Sequence, residues 1–173
     1  MIRSLTILGA LALAATTTTA FAQQGAPPQP PARGLEMALA VEAAQEAVNT
    51  CLSQGVKGSA AVLDSAGVLR VMVSADGASE NASVLSPKKG VAAIQMKKPS
   101  SEIQAEADKD PALKAKLEAD KSIFPRAGAL PVMAGNDLIG AIAFGGANGQ
   151  QGGGTHDEAC AKAGLDKIKA RVK

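Results

Sequence analysis

The side chains able to do chemistry are few, and two of them fall in one short segment near the C-terminus. His156 is the only histidine, and Cys51 and Cys160 are the only cysteines. His156 and Cys160 stand at i and i+4, so on a helix they share a face and could offer two metal ligands. Two ligands make a weak site. Three Cys and His side chains in all cannot complete a four-ligand zinc centre. A Ser-His-Asp triad would have to use His156, and no G-x-S-x-G turn presents a serine to it. The glycine-rich run 145–154 precedes a helical stretch and could hold an anion on free amides. It lacks the G-K-[ST] ending of a phosphate loop, and a flexible connection is the alternative. No convincing acid–base pair emerges, so a hydrolytic enzyme is the weakest reading.

The elements that must position these residues follow from hydropathy. Met37, Val41, Ala44, Val48 and Cys51 recur at helical spacing, with Gly55 placed for a C-terminal cap. Ser59–Asp64 and Val68–Ser74 are β-like runs joined by Ser65-Ala66-Gly67, a short connection ending in Gly, which predicts a hairpin. A helix is expected from about Val84 to Lys98, carrying Lys88, Lys89, Lys97 and Lys98. Pro99 and Pro111 begin two further helical pieces, the second strongly charged and solvent-facing. A second strand pair, Leu130–Ala134 and Leu138–Phe144, turns at Gly135-Asn136-Asp137. The last helix is expected to open at Thr155, with Glu158 reaching back in a capping box. Gly164 on its apolar stripe would allow close approach to a sheet. This order predicts an α+β fold, one antiparallel sheet covered by helices. If the first and last helices pack antiparallel, Cys51 comes near Cys160.

Residues 1–22 read as a secretory signal peptide: Arg3, an apolar run from Leu5 to Ala15, then Ala20-Phe21-Ala22 as a cleavage site. That run is too short to span a bilayer, so no membrane insertion is expected after cleavage. Residues 23–33 form a Pro-rich leader, expected to be extended, and 34–173 the globular domain. The expected location is the periplasm or the outside of the cell, where a Cys51–Cys160 disulfide is permitted; two buried thiols are the alternative. Aromatic residues make up 2% of the chain, and Lys plus Arg (18) nearly balance Asp plus Glu (16). Nucleic-acid binding through a basic groove with stacking platforms is therefore excluded. An alanine-rich core of this kind gains from oligomerisation, and a homo-oligomer is expected.

The ordered motifs resemble the GlcG/HbpS family of small haem-binding-protein-like domains. Ala60–Leu69 (AAVLDSAGVL) matches that family's early hairpin, and Asp76-Gly77-Ala78 the D-G-A after it. Pro87–Ser101 resembles its central helix leading to P-[ST], Leu130–Gly146 its L-P-[VI] strand and the strand that follows, and Asp157–Gly164 (DEACAKAG) its closing D-E-x-x-A-x-A-G. The resemblance spans about 34–173 and implies a profilin-like α/β sandwich, oligomeric assembly, and an association with haem or redox sensing. The central helix departs from the family's K-A-x-T-A: this chain has Lys89-Gly90-Val91-Ala92-Ala93, without the hydroxyl. If that helix lines a pocket, the pocket is altered.

Haem, the ligand the resemblance implies, needs an apolar slot, axial ligands and cations for its propionates. His156, in the first turn of a helix, faces the positive end of the dipole, which favours the neutral imidazole that can ligate iron. The alternative is a surface residue beside a cap. Met96, with Met72 and Met133, could ligate iron or simply fill the core. Lys88 and Lys89 could meet propionates, or belong with Lys97 and Lys98 to a solvated face. Iron at His156 is the only metal expected. The leading expectation is thus an exported, non-enzymatic haem-binding protein, acting in haem handling or redox sensing. The runner-up is a small-molecule or oligomeric accessory module without haem. Any haem would sit against aliphatic side chains or in a subunit interface, because Phe124 and Phe144 are the only aromatic residues outside the signal peptide.

Overall fold

The computed structural model describes residues 31–173. The expected signal peptide, and the leader up to residue 30, lie outside the described residues. The chain runs α1 (Met37–Ser53), β1 (Ser59–Asp64), β2 (Leu69–Ser74), α2 (Glu80–Met96), α3 (Ser100–Ala107), α4 (Pro111–Ala119), β3 (Ala129–Ala134), β4 (Asp137–Gly145) and α5 (Gly153–Ile168). The four strands form one antiparallel sheet in the order β2-β1-β4-β3. The expected α+β class and both hairpins are present.

The period of two in the central strands divides the core into two layers. Ala60 and Val62 of β1, with Ile142 and Phe144 of β4, pack under α1 and α5. Their alternates Ala61, Leu63, Ala141 and Ala143 pack under α2. Strands buried on both faces have no polar side to show, which is why SAAVLD and AIAF lack clean alternation. A third, smaller cluster joins α2 to the two short helices after it through Ala92, Ile103, Leu117 and Ile123.

Local chemistry sets the element ends. Asp64 is buried at the mouth of the first hairpin, where its Oδ1 accepts from the amides of Ala66 (2.9 Å) and Val68 (3.0 Å). Its Oδ2 accepts from Arg70 Nε at 2.7 Å. Asp110 caps α4 through the amides of Ala112 and Leu113, with Pro111 at its first position. Two expected boundaries shift. The central helix begins at Glu80, because the Ser79 hydroxyl accepts from Ala82 N, and Pro87 is accommodated inside it. The last helix begins at Gly153, and the capping box at Thr155 is not formed. Thr155 donates back to Gly152 O, while Glu158 turns away to another partner. Arg33, the last residue of the expected leader, pairs with Asp137 and exchanges hydrogen bonds with Ser65.

α1 and α5 pack antiparallel. Glu46 pairs with Lys167 and Glu42 with Arg171, and Cys51 and Cys160 are joined in a disulfide across a separation of 109 residues. Gly164 makes this packing possible. A Cβ there would lie 2.3 Å from Ala43 O, so the close approach is to α1 as well as to Ile142 of the sheet. Among the described residues no helix is long and apolar enough to cross a membrane.

Candidate functional site

One charge pair is sealed between the central helix and the start of the last. Lys89 and Asp157 are 4% and 2% exposed. Lys89 Nζ donates to Asp157 Oδ2 at 2.6 Å and to the carbonyl oxygen of Phe144 at 3.2 Å. Gly128 leaves the room: a Cβ there would stand 2.6 Å from that Nζ and 2.7 Å from Phe144 O. Asp157 Oδ1 accepts from Ala147 N at 2.8 Å. Burial pushes the Asp157 carboxyl above the usual carboxylate range, while the Lys89 ammonium and the amides of Ala147 and Gly146 pull the other way. The first part of the glycine-rich run is therefore held by a carboxylate and is not a free connection.

The next residue performs a second anchoring. Glu158 accepts from Ser101 N (2.9 Å) and Ser101 Oγ (2.6 Å) at the start of α3, where an anion also meets the positive end of the helix dipole. Ser100 Oγ accepts from Ala129 N at 2.8 Å, tying that helix start to β3. Asp157 and Glu158 thus pin the glycine-rich segment, α2, α3 and the edge of β3 around one opening.

That opening is a cleft of about 460 Å³ reaching down to Lys89 and Asp157. A second cleft of about 270 Å³ adjoins it, lined by Lys88, Asp120 and Lys121 among others. The two share Leu85, Phe124 and Arg126 as a common wall. Arg126 is exposed, and neither it nor Lys88 belongs to an ion pair among the described residues. Lys89, by contrast, already has its counter-charge. The arrangement can hold an anion with an apolar body, the free cations meeting the charge and Leu85 and Phe124 the body.

Of the residues singled out in the sequence, Lys88 and Lys89 reach these clefts. Met96 does not; it packs on the cluster joining α2, α3 and α4. His156 does not either: a ring nitrogen of it lies within 4.8 Å of the sulfurs of the Cys51–Cys160 disulfide, and its Nε2 is buried without a hydrogen-bond partner. Ala92, where the family hydroxyl is missing, is fully buried against that same α2–α4 cluster and lines neither cleft, so the departure leaves the opening unaltered. Sequence reasoning missed Asp157 and Arg126 as parts of the site. The signal for Asp157 was its place in the closing D-E-x-x-A-x-A-G motif. Arg126 gave none beyond its neighbour Phe124.

Residues 35–166 match the family model described as haem degrading protein HbpS-like. The crystal structure of HbpS is similar, with a TM-score of 0.70 and 28% identity, covering 85% of this chain and 97% of that one. Two further structures share the fold at 20% identity: a PduOC–haem complex (TM-score 0.68, covering 78% and 95%) and the Klebsiella pneumoniae protein ORFY (TM-score 0.72, covering 84% and 97%). No curated protein matches the chain in sequence.

Proposed function

The chain belongs to the HbpS-like family, and on that footing we propose that it binds haem in the paired clefts walled by Leu85, Phe124 and Arg126. The observation that carries this reading is the pairing of half-buried apolar side chains with two cations that form no ion pair among the described residues, Arg126 and Lys88, in a cleft where Lys88, Lys121 and Arg126 outnumber Glu118 and Asp120. Haem is a flat apolar ring with two carboxylates, and those residues match the ring edge and the propionates. Bound haem would supply the iron; the protein's part is to take the carboxylates and cover the ring. Lys89 and Asp157 hold the floor of the cleft in place and are not spent on the ligand.

One observation favours a second reading, an organic acid other than haem. Among the described residues no His, Met or Cys lines either cleft, so none of them offers a usual iron ligand there. Hemin titration separates the two. The first reading expects a shifted Soret band, weakened roughly tenfold by Arg126→Glu and again by Lys88→Glu, since a charge-assisted hydrogen bond contributes about 1.5–3 kcal/mol. A flat titration would overturn haem as the ligand, and unchanged affinity in both variants would overturn its placement. The family description names haem degradation; steady bleaching of that band under a reductant would mark turnover in place of storage.

Export and assembly complete the proposal. The reading of residues 1–22 as a signal peptide supports a periplasmic or secreted protein, and a mass beginning at Gln23 would establish it. Met37, Val41 and Leu52 on α1 are exposed apolar side chains, in keeping with a homo-oligomer. Native mass spectrometry tests this directly.

A further inference from the structure

A second chemical cluster lies where the end of α1 meets the start of α5, on the helix turn that also carries Asp157. The i, i+4 pair of His156 and Cys160 is joined there by Cys51, brought in from the antiparallel helix. The two sulfurs and a ring nitrogen of His156 all lie within 4.8 Å of one another. Both cysteines are fully buried, and His156 Nε2, also buried, donates to nothing and accepts from nothing among the described residues. A buried imidazole nitrogen without a partner carries a desolvation cost and needs a reason. The disulfide holds the sulfurs as one covalent unit that cannot chelate.

We propose that reduction of the Cys51–Cys160 disulfide turns this cluster into a binding site for a thiophilic metal ion of the zinc or copper(I) type, with two thiolates and His156 Nε2 as its ligands. Thiolate and imidazole donors select such ions. In a tetrahedral zinc site with bonds of about 2.0–2.3 Å, ligand atoms lie about 3.5–3.8 Å apart, a spacing these three reach once the sulfurs are free to separate. Three protein ligands with one open position is an established zinc arrangement. The redox step balances with a dithiol as reductant. The dithiol gives two electrons and two protons to the disulfide, leaving two cysteine thiols and its own disulfide. The metal ion then displaces both thiol protons. Exchange with a small-molecule disulfide reverses the sequence: the two thiolates give it two electrons, it leaves as two thiols after taking up two protons, Cys51–Cys160 re-forms and the ion is expelled, so occupancy follows the thiol–disulfide balance. His156 pays for its burial in the reduced form, not the oxidised one.

The test uses the mature protein, reduced anaerobically with dithiothreitol, desalted, and titrated with Co²⁺ as a spectroscopic stand-in displaced by Zn²⁺. The expected result is a thiolate-to-cobalt charge-transfer band saturating at one ion per chain, absent from the oxidised protein. His156→Ala, at a partly exposed side chain, is expected to keep the fold and weaken binding at least about tenfold. No such band in the reduced protein overturns the proposal. So does an unchanged affinity in His156→Ala, or a band that appears only after the far-UV circular dichroism of the fold is lost.

Discussion

Replacing Asp157 by Asn tests whether the buried pair with Lys89 holds the site together. Asn keeps the size of the side chain and an oxygen for the Ala147 amide, but it removes the charge 2.6 Å from Lys89 Nζ. With both residues under 5% exposed, solvent does not screen the change, and the ammonium is left with only the Phe144 carbonyl at 3.2 Å. Breaking one partner of a buried ion pair costs about 3–5 kcal/mol. At roughly 4 °C per kcal/mol for a domain of this size, the melting temperature should fall by about 12–20 °C. The companion is the double variant Lys89→Met, Asp157→Leu, which removes both charges and fills the same space. Replacing a buried pair by packed apolar groups is often neutral or stabilising, so the double variant should melt within about 5 °C of the parent. Calorimetry on the parent, Lys89→Met alone, Asp157→Leu alone and the double variant closes the cycle and gives the coupling energy. An Asp157→Asn protein melting within about 4 °C of the parent, or a double variant as unstable as the two single ones added together, would refute the reasoning.

Reducing the disulfide opens a loop of 109 residues, for which chain entropy assigns about 4–5 kcal/mol; chemical denaturation with and without dithiothreitol should show a midpoint lowered accordingly. Asp64→Ala leaves two turn amides and Arg70 without their acceptor, and should cost about 2–3 kcal/mol in urea unfolding, whereas an exposed acid such as Glu118 changed to Ala should cost under about 0.5 kcal/mol. Gly164→Val drives a side chain into Ala43 O and Ile142, separating α1 from α5. Destabilisation of about 1–3 kcal/mol or more is expected, with slower re-formation of the Cys51–Cys160 bond after reduction, followed by free-thiol titration.

Local sequence determined much of this fold. The helical recurrence that ends in Cys51, the D-x-x-G hairpin at Asp64 and the proline starts of α3 and α4 depend on contacts a few residues apart, so their residue types announce them. Where a boundary moved, a side chain had found a partner outside its own element. Glu158 leaves the expected capping box because Ser101 and its amide, on another helix, bind the carboxylate more completely. Lys89 reads as one of four lysines on a helix, and nothing nearby in sequence separates it from its solvated neighbour Lys97. Burial and a partner 68 positions away do so. Cys51 likewise gains a meaning the chain order hides, as the third member of a cluster that His156 and Cys160 only began. Composition and short-range pattern decide which elements form. Which charges are neutralised and which ligand atoms meet is decided by the antiparallel packing of α1 on α5 and of α2 on the sheet, because those distances exist only once the layers close.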